Sequence, residues 1–519
     1  MPRPSVLRTR IHGNEYRDSM ILMALTARLL QRPGVHTAMA VMGQPLDKQR
    51  LADAGLLSPD ASGADSHSLI IALRAADDTH ADAALTWADQ FLAGRLERDR
   101  PAQATWRSCE AATRALPGAT LALISVPGRH AAREARRALD LGLHVLLFSN
   151  HVTVADEIAL KRLAAQRGLL IMGPDCGTAI VGGAALGFAN TVRRGTIGIV
   201  GASGTGIQEV SVLLDRAGLG VSHALGTGGR DLSVEIGGLT TLQAIDLLAG
   251  DSHTDVLVVL SKASAPSLRD LVVERLRRWE KPAVVCLLGL TVDSDTGHIH
   301  FVRTLHAAAT TAARLARASP AAVAPLQPEV VDAVLQERHR LRAGQRFARG
   351  LFSGGSLAVE ALVTWSGVLE PAWSNTPLDP QCALPDVRVS RRHTVIDFGT
   401  DVFTDGRPHP MIDPTDRQQR LLQEAADPEV GVVLLDVVTG YGAHPDMAGA
   451  LADTIREARR IAGRDGRHLP VVAHVCGTEA DPQPLSVQER ILAEAGALVA
   501  PSNAAAAQHA ARIVGARGE

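Results

Sequence analysis

A strand, a glycine-rich turn and a helix follow one another over residues 196–209, and this stretch constrains the fold more than any other. The apolar residues Ile197, Ile199 and Val200 predict a buried strand. The turn Gly201-Ala-Ser-Gly-Thr-Gly206 lets the backbone bend tightly and lets a ligand approach. The helix that follows directs free N–H groups and its positive dipole end out of the turn. The stretch therefore predicts an anion site, with a ligand-free tight turn as the alternative.

The same arrangement returns towards the carboxyl end, where residues 351–361 again read strand, glycine loop and helix. Three further pairs of stretches match in the same order: residues 225–227 with 398–400, 247–260 with 421–435, and 282–289 with 470–477. Matches in a fixed order predict an internal duplication. Doubly wound sheets bind ligands at the carboxyl ends of their strands, so two such domains can bring two helix N-termini to one anion.

The order of strands and helices predicts an α/β protein built from parallel sheets. We expect a Rossmann-like domain over residues 1–192 and two flavodoxin-like, doubly wound domains over residues 193–318 and 346–519. A Pro/Ala-rich linker and a connecting helix are expected between these two, over residues 319–345.

Charge and cysteine content exclude several classes of protein. The chain has 53 basic and 55 acidic residues and a net charge of −2, so it has no basic surplus for nucleic-acid binding. Its five cysteines are scattered without CxxC spacing, which predicts reduced thiols in a cytoplasmic protein and no metal site. Because no apolar run approaches 18 residues, we expect no membrane span, and we expect no signal peptide.

Glycines, hydroxyl residues and a few charged residues in the loops are the candidates for binding an anion, by backbone N–H groups and by side chains. They are Ser203, Gly204, Thr205, Gly206, Gly228, Gly229, Arg230, Asp231, Ser353, Gly354, Gly355, Ser356, Gly440, Gly442 and His444. Phosphate or an acyl phosphate is a ligand that suits such donors.

Arg230, Arg407 and His409 are the candidates for catalysis. An arginine can hold a carboxylate or a phosphate through two parallel hydrogen bonds, although Arg230 can equally pair with Asp231 at the surface. His409 stands between two prolines, and a stiff loop carrying Arg and His fits binding or acid–base work. A packed turn is the alternative.

Three acidic residues in or before helices are open to two interpretations. Glu209 and Glu360 lie one or two turns into the helices that follow the glycine loops. Either can orient a ligand or be exposed, and we expect exposure for Glu360. Asp446 can bind a ligand, but we expect it to be the N-cap of a helix.

Several motifs resemble the α subunit of succinyl-CoA synthetase in order and spacing, and residues 349–515 resemble the C-terminal ligase domain of its β subunit. The motifs are Val126-Pro-Gly128, Met172-Gly-Pro-Asp-Cys-Gly177, Gly198-Ile-Val-Gly-Ala-Ser-Gly-Thr205 and Gly226-Thr-Gly-Gly-Arg-Asp231. With Gly406-Arg-Pro-His-Pro-Met-Ile-Asp-Pro414, the whole chain most resembles the FdrA family of acyl-CoA-synthetase-like proteins. The resemblance implies a CoA-binding-type first domain and two CoA-ligase-type domains.

Three parts of succinyl-CoA synthetase are missing from this sequence. The N-terminal glycine fingerprint for CoA is absent, so CoA is left open as a cofactor and no other cofactor is expected with certainty. There is no ATP-grasp domain. His298 follows a glycine, but no glycine-rich run follows it, so we do not expect it to carry a phosphoryl group.

The resemblance to FdrA-type proteins implies a subunit of an oxamate carbamoyltransferase in purine (allantoin) catabolism. That reaction interconverts oxalurate plus phosphate with oxamate plus carbamoyl phosphate. We therefore expect a transferase that uses carbamoyl phosphate or an acyl phosphate and acts with partner subunits on a small carboxylate. The alternatives are an acid–CoA ligase subunit with a separate nucleotide-binding partner, and a non-catalytic scaffold that binds a metabolite.

Overall fold

The computed structural model describes residues 5–13, 15, 17, 19–93, 106–262, 265–290, 295–316, 328–404 and 407–515. The chain divides into two compact units, Met1–Trp106 with Thr404–Pro408, and Arg107–Phe403 with His409–Glu519. The linker and connecting helix were expected over residues 319–345, and residues 319–327 of that segment lie outside the described residues. None of the described helices is long and apolar enough to cross a membrane.

An antiparallel sheet forms the first unit. Its elements are β1 (Val6–His12), α1 (Ser19–Leu30), β2 (Val35–Met42), α2 (Pro45–Asp53), α3 (Pro59–Gly63), β3 (Leu69–Ala75) and α4 (Asp78–Leu92). β3 lies between β1 and β2 and pairs antiparallel with both. The prediction of one Rossmann-like domain over residues 1–192 is therefore wrong for this unit, whose sheet is antiparallel. Almost every residue of β3 is buried. Its sequence is therefore a continuous apolar run, which is typical of a parallel strand, although both of its neighbours are antiparallel to it.

The second unit begins with a small parallel sheet, to which the Rossmann-like part is confined. Its elements are α5 (Cys109–Ala115), β4 (Leu121–Ile124), α6 (Gly128–Asp140), β5 (His144–Leu147), α7 (Val154–Gln166) and β6 (Ile171–Met172). The strands run parallel in the order β4-β5-β6, as the alternation of strands and helices predicts.

A seven-stranded sheet follows. Its elements are β7 (Thr178–Val181), β8 (Ala184–Gly187), β9 (Arg194–Gly201), α8 (Gly204–Arg216), β10 (Val221–Gly226), α9 (Leu239–Gly250), β11 (Val256–Lys262), α10 (Pro266–Leu276), β12 (Ala283–Leu288), β13 (Ile299–Val302) and α11 (Leu305–Leu315). The strand order is β13-β12-β11-β9-β10-β7-β8, in which β7 pairs antiparallel with both β8 and β10.

A six-stranded parallel sheet ends the chain. Its elements are α12 (Pro328–His339), β14 (Phe347–Phe352), α13 (Gly355–Trp365), β15 (Trp373–Ser374), a 3-10 turn (Pro380–Cys382), β16 (Thr394–Asp397), α14 (Asp401–Thr404), α15 (Thr415–Ala426), β17 (Val430–Val438), α16 (Met447–Arg464), β18 (Val471–Cys476), α17 (Leu485–Glu494), β19 (Ala497–Ala500) and α18 (Asn503–Val514). The expected connecting helix is α12.

The two large sheets share one topology. The order β10-β9-β11-β12-β13 in one matches β16-β14-β17-β18-β19 in the other. Each is the flavodoxin-like order 2-1-3-4-5, in which the first strand lies between the second and the third. The predicted α/β class with parallel-sheet domains is confirmed, and so is the like topology of the two domains.

The two duplicated domains share one apolar core. Ile207 and Val210 of α8 belong to the same buried cluster as Leu357 of α13 and Ala505 of α18. Arg216, in the last turn of α8, crosses to the other domain. Its guanidinium donates to the carbonyls of Gly477 and Pro501 at 2.9 Å each, and also to that of Val475.

We expect Arg216→Met to lower the free energy of unfolding by about 2 kcal/mol, because charged hydrogen bonds to these carbonyls are lost. Urea denaturation measures the change. Arg456→Met is the matched control, since Arg456 pairs with the exposed Asp453, and a change below about 0.5 kcal/mol is expected there. Equal effects of the two substitutions would contradict the role of Arg216 between the domains.

Candidate anion site

The N-termini of α8 and α13 meet. The hydroxyl oxygens of Ser203, before α8, and Ser356, in the first turn of α13, are in contact. The backbone N–H of Ser356 donates to the Thr205 hydroxyl at 3.2 Å. Ser203 Oγ also accepts from the N–H of Gly206 at 3.0 Å, as an N-cap does, so the expectation that the Gly206 N–H binds the anion is corrected. The structure thus has the two facing helix ends that the duplication predicts.

Three backbone donors at these ends are unused. Within the described residues, the N–H groups of Gly204, Thr205 and Gly355 have no hydrogen-bond acceptor. Such groups bind anions at helix N-termini. A Cβ on Gly355 would lie 2.6 Å from Lys262 Nζ and 2.5 Å from Asp397 Oδ2, so glycine leaves room for both side chains at the helix end.

Lys262 supplies a positive charge to this point. It is the last residue of β11, and its side chain is 44% exposed. Its Nζ lies 3.7 Å from Oδ2 of Asp397, the last residue of β16, which is almost fully buried. Neither residue was a sequence candidate. Both end strands at the carboxyl edge of a sheet, and that position is the signal that could have revealed them.

A buried ion pair supports the glycine loop before α13. Asp436 accepts the N–H groups of Ser353 and Gly354 at 2.8 and 2.7 Å. Arg417 Nη2 lies 2.9 Å from Asp436 Oδ1, and both side chains are 0% exposed. The expectation that Ser353 and Gly354 bind the anion is corrected, because their N–H groups are already bonded to Asp436.

His409 borders the same loop. A Cβ on Gly399 would lie 3.0 Å from His409 Nε2 and 3.1 Å from Asp397 Oδ1. The Nδ1 atom accepts the N–H of Met411 at 3.3 Å, which leaves the proton on Nε2. Burial lowers the pKa of His409 to about 4, against the opposing charge of Asp436. The imidazole is therefore neutral at pH 7, with an N–H donor beside Asp397.

The expectation that Asp231 binds an anion is corrected. Asp231 is fully buried and accepts the N–H groups of Thr240 and Thr241 at 3.2 and 2.7 Å. Lys161 Nζ lies 2.6 Å from its Oδ1. The Asp231 carboxylate therefore stabilises the conformation of its own loop and is not available to an anion.

Arg230 is half exposed and pairs with Glu157 at 2.9 Å, not with Asp231. It also donates from Nη2 to the carbonyl of Val152 at 2.7 Å. Among the described residues its Nε and Nη1 groups have no partner. In the same loop, a Cβ on Gly229 would lie 3.4 Å from Asp175 Oδ2, and Gly228 packs against the carbonyl of Pro174.

The expectation that Gly440 and Gly442 bind an anion is corrected, because their loop packs against other parts of the protein. A Cβ on Gly440 would lie 2.5 Å from the carbonyl oxygen of Ala189, and one on Gly442 would lie 3.0 Å from the Phe188 ring. The N–H of Gly440 donates to the Gln483 side chain at 3.0 Å. These contacts fix the loop on the β8–β9 connection.

His444 accepts the N–H of Asp446 at 3.0 Å through Nδ1, and burial lowers its pKa. It is thereby engaged in holding the turn before α16. Asp446 accepts the N–H of Gly449 at 3.0 Å, so the predicted N-cap is confirmed.

Arg407 belongs to the first unit, and we do not include it in the candidate anion site. Its backbone N–H donates to the carbonyl of Thr404 at 3.0 Å. Burial raises the pKa of Asp47 in the same unit to about 6, and the charges of Arg50 and Arg407 oppose that rise.

The expected exposure of Glu360 is wrong. Its carboxylate is completely buried. Oε1 accepts the N–H of Leu305 at 2.6 Å, and Oε2 accepts the side-chain amide of Asn503 at 2.8 Å. Burial raises the pKa of Glu360 to about 7, and the charge of Glu209 adds to the rise.

Glu209 makes the reciprocal contact and is also completely buried. Its Oε2 lies 2.8 Å from His474 Nε2, and its Oε1 accepts the N–H of Asn503 at 3.1 Å. Burial alone would raise its pKa, but the charge and hydrogen bond of His474 outweigh burial and lower it to about 2. Each glutamate therefore caps a helix of the other domain.

His298 lies at the other end of its sheet. Its carbonyl accepts the N–H of Ala283, the first residue of β12, at 2.9 Å. Its Nε2 lies 3.2 Å from the carbonyl oxygen of Leu276. The amino edge of the strands is opposite the glycine loops, so His298 lies away from the candidate anion site.

Three family models match parts of the chain and define its class. CoA-ligase matches residues 351–513, CoA binding domain matches residues 192–287, and AllF, heavy metal-associated domain, matches residues 5–107. The second unit thus has CoA-binding and CoA-ligase domains, but the CoA binding domain model matches residues 192–287, where a ligase-type domain was expected, and not residues 1–192.

The chain belongs to the family of the uncharacterized protein YahF of Escherichia coli (strain K12). The two are 42% identical over 498 residues, which are 95% of this chain and 96% of that protein. The chain is also 30% identical over 181 residues to subunit alpha-2 of the mitochondrial ADP-forming succinate–CoA ligase of Trichomonas vaginalis. That match covers 33% of this chain and 57% of the subunit, so the chain spans little more than half of this relative.

The apo dinucleotide-forming acetyl-coenzyme A synthetase 1 of Ca. Korarchaeum cryptofilum is similar to the chain at 16% identity. The match covers 76% of this chain and 82% of that one, with a TM-score of 0.32.

The residues of the first unit do not fit a heavy metal. Residues 5–107 contain no cysteine, the ligand that soft metals prefer. Among the described residues, no group of three or more His, Cys, Asp or Glu side chains is placed to hold a metal ion. We derive no step through a metal.

Proposed function

We propose that the ends of α8 and α13 bind phosphate or an acyl phosphate for transfer of a carbamoyl or acyl group. The observation that carries the proposal is the contact between Ser203 and Ser356, which brings two helix N-termini to one point. Each N-terminus contributes about half a positive charge, and Lys262 contributes a full one. A dianion between them would replace the contact between the two hydroxyls.

The reaction we propose is of the oxamate carbamoyltransferase type, in purine catabolism, with partner subunits and in the cytoplasm. Phosphate oxygen attacks the carbamoyl carbon of oxalurate, the bond from that carbon to the oxamate nitrogen breaks, and carbamoyl phosphate and oxamate result. The Nε and Nη1 groups of Arg230, which have no partner among the described residues, suit the oxamate carboxylate. Positioning and charge stabilisation supply the rate enhancement.

Phosphate-dependent breakdown of oxalurate is the test of this reaction. We expect the full chain, assayed with candidate partner subunits, to release oxamate only when phosphate is present. Phosphate should also raise the midpoint of thermal unfolding of the chain alone. Absence of turnover with every partner set, together with absence of this protection, would contradict the proposal.

Lys262→Met tests the anion site directly. We expect about a tenfold or greater loss of phosphate affinity, because a charge-assisted contact worth about 1.5–3 kcal/mol is removed. The fold should persist, since Lys262 is partly exposed. Isothermal titration calorimetry measures the affinity.

Lys281→Met is the matched control for this measurement. Lys281 precedes β12 at the amino edge of the same sheet and donates to the carbonyl of Leu248 at 3.4 Å. Its replacement should leave phosphate affinity unchanged. Equal losses in the two variants would place the anion elsewhere.

An acid–CoA ligase subunit with a separate nucleotide-binding partner is the second candidate, and the CoA-ligase family match favours it. The CoA binding domain model matches residues 192–287, and we derive no step through CoA. Acyl-CoA formation from ATP, CoA and an acid would favour this candidate.

A further inference from the structure

Asp175 lies in the turn Gly173-Pro-Asp-Cys-Gly177 between β6 and β7, and its Oδ2 lies 3.4 Å from the position of a Cβ on Gly229, beside Arg230. Thr178, three residues further on, has its Oγ1 3.1 Å from the position of a Cβ on Gly204. The turn therefore runs beside the N-terminus of α8. The turn is one of the motifs that carry the family resemblance.

The backbone fixes the direction of the Asp175 side chain. Its φ of 57° is left-handed, a conformation that aspartate adopts at less cost than most residues. Its N–H donates to the carbonyl of Ser149 at 3.0 Å. Its carboxylate faces the neighbouring loop, since Oδ2 lies 3.4 Å from the position of a Cβ on Gly229.

Asp175 is surrounded by charged side chains of both signs. Asp175 is exposed to solvent, yet desolvation by the protein crowded round it raises its pKa to about 6. Lys262 and Arg230 oppose the rise, whereas Asp401 and Glu157 add to it. The charges of both proposed ligand-binding cations, Lys262 and Arg230, therefore act on this carboxyl.

The proposed reaction requires one proton to move. Monohydrogen phosphate loses its proton when its oxygen bonds to the carbamoyl carbon, and the oxamate nitrogen gains a proton when its bond to that carbon breaks. Atoms and charge balance with no other co-reactant. One group can carry out this transfer if it both accepts and donates a proton and lies between the phosphate and the departing nitrogen.

We propose that Asp175 carries this proton from the phosphate hydroxyl to the departing nitrogen. The proposal rests on the proposed function. It assigns to Asp175 a place beside Lys262, which holds the phosphate, and Arg230, which holds the oxamate carboxylate.

Sulfate binding tests the placement of Asp175 without turnover, because sulfate keeps its charge across the neutral range. In the full chain, sulfate affinity should fall about fivefold or more between pH 5 and pH 7.5, as Asp175 ionises beside the anion. The affinity of Asp175→Asn should not change with pH over this range. An equal fall in the variant would overturn the proposal.

Kinetics test the proton transfer itself. With partner subunits, Asp175→Asn should lower kcat by about 10²–10⁴-fold and lose the inflection near pH 6, while sulfate still binds. Asp270→Asn is the control, because Asp270 is an exposed carboxylate on α10, and it should turn over as the wild type does.

The failures of the two proposals are distinguishable. A wild type that turns over, with an Asp175→Asn variant of equal kcat and unchanged pH profile, would overturn the role of Asp175 alone. A wild type without phosphate-dependent turnover would overturn the proposed function and this role with it.

Discussion

Asp436→Asn is expected to lower the free energy of unfolding by about 3–5 kcal/mol, because it leaves the Arg417 guanidinium buried without its counter-charge. The variant also replaces one of the carboxylate oxygens that accept the N–H groups of Ser353 and Gly354. Denaturation in urea measures the loss. Removing Arg417 as well, in Asp436→Asn with Arg417→Met, should restore part of it, since no unpaired charge then remains.

Asp453→Asn is the matched control for this prediction. Asp453 also pairs with an arginine, Arg456, at 2.7 Å, but its side chain is 94% exposed. An exposed pair contributes little, so a change below about 0.5 kcal/mol is expected. A loss of less than about 1 kcal/mol in Asp436→Asn would contradict the account of the buried pair.

The second large effect is a pH-dependent difference between the wild type and Glu360→Gln. The pKa of Glu360 is raised from 4.5 to about 7 in the folded protein. A raised pKa contributes stability below the unfolded-state value, and this contribution is lost as pH rises through the folded value. From pH 4.5 to pH 8, the wild type should therefore lose about 3 kcal/mol relative to the variant.

The difference in the free energy of unfolding between the two proteins at each pH reports on Glu360, because the contributions of groups that the substitution leaves unchanged cancel. Glu209, whose pKa is lowered to about 2, stays ionised over this window. Glu494→Gln, at an exposed pair with Arg490, should show a flat difference from the wild type. A flat difference for Glu360→Gln would mean that its carboxylate ionises normally in the folded protein.

The topology of the two large domains could be predicted because local patterns repeat in a fixed order. Parallel strands that are buried on both faces read as apolar runs, and the glycine loops mark their carboxyl ends. The first unit could not be predicted in this way. β3 has the same kind of apolar run. Whether a strand pairs parallel or antiparallel depends on the connections between strands, and the residue pattern of a single strand does not encode them.

Part of the site could be predicted from the same repeat. Ser203, Gly204, Thr205, Gly206, Gly355 and Ser356 lie together, as two facing loops should. Lys262 and Asp397 were missed because they come from strands distant in sequence and meet only when the two domains pack. Glu360 was misjudged for the same reason: an acidic residue in a helix is usually exposed, and only the other domain covers it and supplies the N–H groups that it accepts.

The central claim is that the ends of α8 and α13 share one anion, and a crystal structure of the full chain grown with phosphate tests it most directly. We predict tetrahedral density within hydrogen-bond distance of the N–H groups of Gly204, Thr205 and Gly355, in contact with Lys262 and separating the Ser203 and Ser356 hydroxyls. The same crystals of Lys262→Met should have weaker density there. Phosphate bound elsewhere, with Ser203 and Ser356 still in contact, would contradict the claim.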